Sequence, residues 1–284
     1  MDLSYILKAA LLAIVEGLTE FLPVSSTGHL IVAADLLKMP QDAFYQMYMI
    51  VIQLFAILAV IVLFFHRLWR QISGFFRFEK SAWTFVSKWV LATIPAGLMG
   101  LFFNDWIEAH LMRVPTVMAA LVLGAILLIV LERWLRPLAY REPMESISYA
   151  QALGIGCFQC LALWPGFSRS ASTIMGGWVC RVKTRAAADF SFFLAMPIMV
   201  LASIYSLYKY LVSAKSAGLA AVAVMNRSQV FALIIGCLLS FIVALVVVDK
   251  FLNFLKRHSL RGFAYYRILL AILLGLRLFV FKAA

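Results

Sequence analysis

Six stretches of this chain are long and apolar enough to be membrane-crossing helices: about 44–65, 82–103, 114–135, 186–210, 228–249 and 262–282. Each has the roughly 20 residues a helix needs to cross the hydrocarbon of a bilayer. No soluble fold could bury that much apolar surface. Of the 284 residues, 64% belong to the hydrophobic set and 13% are charged, against about 45–50% and about 25% in ordinary soluble domains. The excess must face lipid, which excludes a water-soluble enzyme and a disordered chain. The formal net charge is +12. In a soluble protein that would point to nucleic acid. Here the anionic headgroups of a membrane are the simpler partner, and no nucleic-acid partner is expected.

Two further apolar stretches, about 3–38 and 148–181, are interrupted midway by polar, Pro/Gly-rich segments. The first break is Pro23-Val24-Ser25-Ser26-Thr27-Gly28-His29 and the second is Pro165-Gly166-Phe167-Ser168-Arg169-Ser170. Two short helices meeting at a polar tip describe a re-entrant hairpin, tolerated at membrane depth only inside protein or beside a wet cavity. The breaks lie half a chain apart, and an offset of 142 aligns Pro23 with Pro165 and Ser26 with Ser168. Each hairpin is followed by three spans, an odd number, so the second half starts from the opposite side. The expectation is an all-α polytopic membrane protein, a single integral domain over 1–284. It has about six full spans, two re-entrant hairpins, and an inverted-topology repeat with halves of about 1–142 and 143–284.

Basic residues orient it. Fourteen, among them Arg67, Arg70, Arg77, Arg133, Arg136, Arg185 and Arg261, fall on one side, and six, among them Lys38, Arg113 and Arg227, on the other. The richer side is cytoplasmic by the positive-inside rule, so both termini and the mouth of the first hairpin face outward. No cleavable signal peptide is expected, because the N-terminal apolar run lacks a basic leader and carries Glu16 and Glu20. Cys157 and Cys160 have a redox-like or zinc-like spacing but no second pair, and read as inert thiols, as do Cys180 and Cys237. Gly97, Gly100 and Gly124 on span faces allow close helix packing within the chain or in a homodimer.

The chemistry concentrates at the two breaks. Glu16 and Glu20, four residues apart, share one helix face. A charge at the bilayer centre costs about 2.5–3.5 kcal/mol on insertion scales, so the pair needs a divalent cation, a basic partner or a shared proton. Ser25, Ser26 and Thr27 precede Gly28 and His29, which places hydroxyls, an imidazole and carboxylates within fourteen residues, the parts of an activated nucleophile. These hydroxyls are also good caps for a helix whose N-terminus would bind an anion. Arg169, a guanidinium inside an apolar hairpin, stands among Ser168, Ser170, Ser172 and Thr173, with Gly166 allowing backbone approach. Arginine pairs bidentately with phosphate. It could equally form an ion pair with Glu16 or Glu20. The constellation suits a phosphate or diphosphate held at the membrane by a lipid tail.

The run Glu-Gly-Leu-Thr-Glu-Phe-Leu-Pro-Val-Ser-Ser-Thr-Gly-His at 16–29 resembles the first motif of the bacterial undecaprenyl-diphosphate phosphatases, the bacitracin-resistance proteins. Pro-Gly-Phe-Ser-Arg-Ser-Ala-Ser-Thr at 165–173 resembles the second, and the segments 157–164 and 190–197 also fit. The resemblance implies hydrolysis of undecaprenyl diphosphate to undecaprenyl phosphate and inorganic phosphate in the bacterial plasma membrane. It also implies a need for a divalent cation such as Mg2+ or Ca2+, and a site open to the outer face. By position, Glu16 and Glu20 fall on the acidic motif as metal or proton partners, Ser26 on the proposed nucleophile with Thr27 beside it, and His29 and Arg169 on the essential histidine and arginine. Ser25, Gly166, Ser168, Ser170 and Thr173 are the expected substrate-binding positions.

Two mechanisms stay open on sequence. Ser26 attacks phosphorus with His29 as base and Glu20 orienting it, or His29 itself becomes phosphorylated. A type-2 phosphatidic-acid phosphatase would continue from Ser-Arg through five intervening residues to a His, where this chain has Met175. The competing class is a polyprenyl-phosphate transporter using the same headgroup site, since broken helices at the midplane are transporter architecture.

Overall fold

The computed structural model describes residues 2–216 and 225–282; part of the 213–227 loop, on which the sequence was uninformative, lies outside them. The described residues are helical apart from short turns, with no strand. Helices α1 (Leu3–Thr19) and α2 (Ser26–Leu36) come from the first broken stretch. Then follow α3 (Ala43–Leu63), α4 (Phe65–Phe76), α5 (Lys80–Leu111) and α6 (Val114–Trp134). The second broken stretch gives α7 (Tyr149–Gln159), a single 3-10 turn at Cys160–Leu163, and α8 (Arg169–Val179). It is followed by α9 (Thr184–Ser216), α10 (Arg227–Phe254) and α11 (Arg261–Lys282).

Five helices are long and apolar enough to cross a membrane: α3, the Lys80–Phe103 part of α5, α6, the Thr184–Val212 part of α9, and α10. The chain is a multi-pass membrane protein. The sixth expected stretch, 262–282, is the helix α11, which buries Arg267 completely. The helix α4 was not anticipated. It carries Phe65, Trp69 and Phe76 exposed beside Arg70, the composition of a segment lying along a membrane surface.

Both broken stretches stop for the same local reasons. Pro23 and Pro165 cannot continue a helix. The next helix then starts on a serine cap: the Ser25 hydroxyl accepts the Gly28 N–H at 3.4 Å, and that of Ser168 accepts the Ala171 N–H at 3.3 Å. Both caps have positive φ, 73° and 75°, a conformation that strains a residue bearing a Cβ by about 1–3 kcal/mol and clusters at functional sites. These caps are 143 positions apart, one more than the offset that aligns the prolines.

The helix α1 lies on α10, and α7 lies on α5; α3 packs on α9, and α6 on α11. The helix α3 also packs extensively on α10, a contact without a comparable counterpart between α9 and α5. At the α1–α10 contact a Cβ on Gly17 would stand 2.8 Å from the Ser240 carbonyl oxygen. Such close approach at small residues drives helix association in lipid, where burial of apolar surface gives no gain. Gly124 faces Arg267 of the same chain, whereas a Cβ on Gly97 would meet nothing. Phe21, Trp178, Phe190, Phe192 and Phe193 fill the centre, directly behind the two polar breaks. On a different flank Arg67 binds Glu145 at 2.7 Å and Asp189 at 3.0 Å, tying α4 to the loop before α7 and to α9. The four cysteines are free thiols.

Candidate active site

The two serine-capped helix starts open onto one polar cleft of about 160 Å³. From the first come Ser25, Ser26 and Thr27, from the second Gly166, Ser168 and Arg169, and Glu20 joins them from the end of α1. Backbone N–H groups in the first turn of a helix have no intrahelical acceptor. The starts of α2 and α8 thus present such donors to the cleft from two sides, with the positive ends of two helix dipoles behind them.

Glu20 is the junction of the site. One carboxylate oxygen accepts the Ser26 hydroxyl at 2.5 Å, and the other accepts Arg169 Nη2 at 3.0 Å. The side chains of Arg169 and Glu20 are only 16% and 10% exposed, so this ion pair is largely shielded from solvent. Arg169 is fixed from behind as well. Its Nη1 donates to the Ser191 carbonyl and hydroxyl at 3.2 and 3.4 Å, and its guanidinium lies 5.8 Å from the centre of the Phe21 ring. Thr173 donates to the Ser191 hydroxyl at 2.6 Å, and Ser170 donates to the Leu22 carbonyl at 2.9 Å, stitching one break to the other. Thr173 and Ser170 are fully buried and outside the cleft lining, so they hold the arrangement and do not face a ligand.

His29 sits differently from its expected place beside Ser26. Its Nδ1 is 2.7 Å from the Ser25 carbonyl oxygen, and its Nε2 is 2.7 Å from the Tyr266 hydroxyl, with the two rings stacked. A carbonyl only accepts, so Nδ1 carries a proton and donates to it, while Nε2 shares a second hydrogen bond with the Tyr266 hydroxyl. Both nitrogens are therefore engaged away from Ser26, whose hydroxyl goes to Glu20.

Glu16 lies one turn behind Glu20, fully buried, and neither of its oxygens has a hydrogen-bond partner. An orphaned carboxylate beside a second one fits a hard divalent cation or a proton. Among the described residues no group of three or more His, Cys, Asp or Glu side chains could enclose a metal. The donor set fits an ion of the Mg2+ kind, which takes one or two carboxylates and completes its shell with water and phosphate.

Four residues here were not singled out from sequence. Gln53 lines the cleft from α3, Ser191 anchors Arg169, and Tyr266 and Arg267 reach the two breaks from α11. Gln53, Ser191 and Arg267 carried a signal, a polar side chain within an apolar span, and Ser191 also lies in the 190–197 segment that fits the family; Tyr266 carried none.

The family profile described as "Bacitracin resistance protein BacA" matches residues 9–273, which include every residue of this cleft. The chain belongs to the BacA family. Among its BacA-family relatives, a protein named undecaprenyl-diphosphatase from Clostridium perfringens (strain SM101) is 42% identical over 311 residues, covering 98% of each chain. Proteins of the same name from Clostridium tetani and Caldanaerobacter subterraneus are 44% and 43% identical, each covering 96% of this chain and, respectively, 97% and 96% of the relative.

Proposed function

We propose that this BacA-family protein hydrolyses undecaprenyl diphosphate to undecaprenyl phosphate and inorganic phosphate, with Ser26 as nucleophile and Glu20 as its base. The reaction returns the carrier lipid to peptidoglycan synthesis and removes the diphosphate form that bacitracin binds. The observation that carries the residue assignment is the 2.5 Å hydrogen bond from Ser26 to Glu20, closed by Arg169 on the other carboxylate oxygen. Ser26 Oγ attacks the terminal phosphorus as Glu20 takes its proton. The bond to the bridging oxygen breaks, undecaprenyl phosphate leaves, and water then hydrolyses the phosphoserine. Arg169 and the first-turn N–H groups of α2 and α8 stabilise the charge on the transferring phosphoryl group. His29 braces the Ser25 carbonyl behind the nucleophile. A divalent cation held by Glu16 and Glu20 would neutralise diphosphate oxygens and the leaving phosphate.

The chain is read as six spans, α11 included, with α1–α2 and α7–α8 as re-entrant hairpins of an inverted repeat. Several correspondences at an offset of 143 support this. Both second helices have 11 residues and a strained serine cap. Glu16 and Gln159 correspond, and both are buried with unpartnered polar atoms. The contacts α1–α10 and α7–α5 exchange under the repeat, while α3–α9 and α6–α11 map onto themselves. The distribution of basic residues favours a cleft open to the outer face.

The test is phosphate release from undecaprenyl diphosphate by protein purified in detergent, with and without Mg2+ or Ca2+, beside Ser26→Ala. The expected result is cation-dependent release that the variant loses while staying folded. Acid-quenched enzyme should hold acid-stable phosphoserine. Acid-labile phosphohistidine would move the nucleophile to His29. No release by folded protein that still binds the diphosphate would favour transport of the lipid.

A further inference from the structure

Arg267 is the largest buried charge that the proposed reaction leaves unused. It is 0% exposed and has no acidic partner in any ion pair of the described residues. Its Nη2 sits on three carbonyl oxygens, Phe167 at 2.9 Å and Gly166 and Ala120 at 3.2 Å, while Nε and Nη1 are buried without a hydrogen-bond partner. A guanidinium isolated in this way is costly to bury. The two residues it grips are the ones immediately before the strained Ser168 cap and Arg169. Gly166 has φ of 100° and itself lines the cleft.

The register of Arg267 is set from outside the site. The helix α11 starts on Glu132 of α6, whose carboxylate accepts the Ser259 hydroxyl at 2.8 Å and the Leu260 N–H at 2.9 Å. Further along, Arg277 binds Asp35 of α2 at 2.5 Å. Between these anchors stand Tyr266, on His29 of the first break, and Arg267, on the second. One helix therefore touches both breaks at consecutive residues.

We propose that Arg267 is a positioning residue for the phosphoryl site: by holding the Gly166 and Phe167 carbonyls it aims the start of α8 and Arg169 at the reacting phosphate. Its charge also lies one residue's thickness behind the cleft wall, where the diphosphate is the anion that complements it. This inference rests on the hydrolase reading.

The test compares wild type with Arg267→Met, Arg267→Lys and Gly124→Ala. The last variant keeps the guanidinium but places a methyl group against its Nη2, displacing a flexible side-chain end. For each, kcat and KM for undecaprenyl diphosphate are measured per folded protein, with thermal unfolding alongside. Misplacing the phosphoryl-binding groups should lower kcat about 100-fold with little change in KM for Arg267→Met and Gly124→Ala, and Arg267→Lys should recover part of it. A purely structural arginine would lower the unfolding temperature and leave kcat of the folded fraction intact, which overturns the proposal. If Arg267→Met does not fold, Gly124→Ala decides, and wild-type kcat there is refutation. A wild type without phosphate release sinks the hydrolase reading and this inference with it. An active wild type beside an equally active Gly124→Ala sinks this inference alone.

Discussion

Replacing Glu20 by Gln separates the two roles that the proposed reaction gives this side chain, base for Ser26 and counter-charge for Arg169. The amide keeps the shape, but its single oxygen can accept from only one of the two, Arg169 in the less costly orientation, with the NH2 then turned to the Ser26 oxygen, and it cannot take the serine proton. Loss of a positioned base costs about 10²–10⁴ in rate. The stability effect comes from Arg169, which is then left charged at 16% side-chain exposure with only Ser191, the amide and the Phe21 ring around it. An uncompensated buried charge costs about 3–5 kcal/mol. The retained amide oxygen places this variant at the lower end, about 3 kcal/mol, worth roughly 5 °C in a chain of this size.

Arg169→Gln should destabilise similarly, by stranding Glu20. The double variant removes both charges and leaves two amides that can bond each other, so its loss should be smaller than the sum of the singles by about 0.5–3 kcal/mol. Thermal unfolding followed by tryptophan fluorescence gives the stabilities, and phosphate release gives the rates. Strictly additive losses would mean the two charges do not interact as the 3.0 Å contact requires. Turnover by Glu20→Gln within a few-fold of wild type would remove Glu20 as the base, whatever its effect on stability.

Two further outcomes are expected. Gly166→Ala should fold less stably by about 1–3 kcal/mol and turn over poorly, because φ of 100° strains any Cβ and that atom would meet the Val117 carbonyl at 2.5 Å; unchanged kcat would show that the loop shape is not needed. Burial alone would raise the Glu145 carboxyl, but its hydrogen bonds and charge pairing with Arg67 outweigh that and hold it below the usual glutamate range. A depressed carboxylate stabilises the fold above its unfolded value and stops doing so as pH falls through the folded one, so wild type should lose unfolding temperature below the ordinary glutamate pKa of about 4.3, and Glu145→Gln should show a flatter profile there.

The helices were legible because each depends on a local pattern. Apolar runs of membrane length gave α3, α5, α6, α9 and α10 to within a few residues, except where α5 and α9 continue past the apolar part. The amphipathic α4 escaped because its apolar residues are too few to make a span. The site residues were legible as a set, since carboxylates, hydroxyls and an arginine in apolar surroundings demand an explanation. Their pairing was not. Spacing favoured His29 as the partner of Ser26, three residues away on the same helix, but a helix start turns on its cap. The Ser25 carbonyl captures His29 Nδ1, while Glu20 reaches Ser26 across the break. Tyr266 meets His29 across 237 residues of chain, a contact that no local pattern records.

The same geometry explains why two broken helices are needed instead of one. A diphosphate carries several negative charges, and the cleft's own side chains do little to oppose them: Arg169 is matched by Glu20, and Arg267, which has no acidic partner among the described residues, lies behind the cleft wall. Further attraction must come from elsewhere. Each helix start contributes roughly half a positive charge and a set of free N–H donors, and two of them converge only because both breaks meet at the same place, joined by Ser170 on the Leu22 carbonyl. Moving either start away would remove half of that contribution. The strain at Ser25 and Ser168 is accordingly concentrated at the residues that aim those starts, and Arg267 braces the second of them from behind.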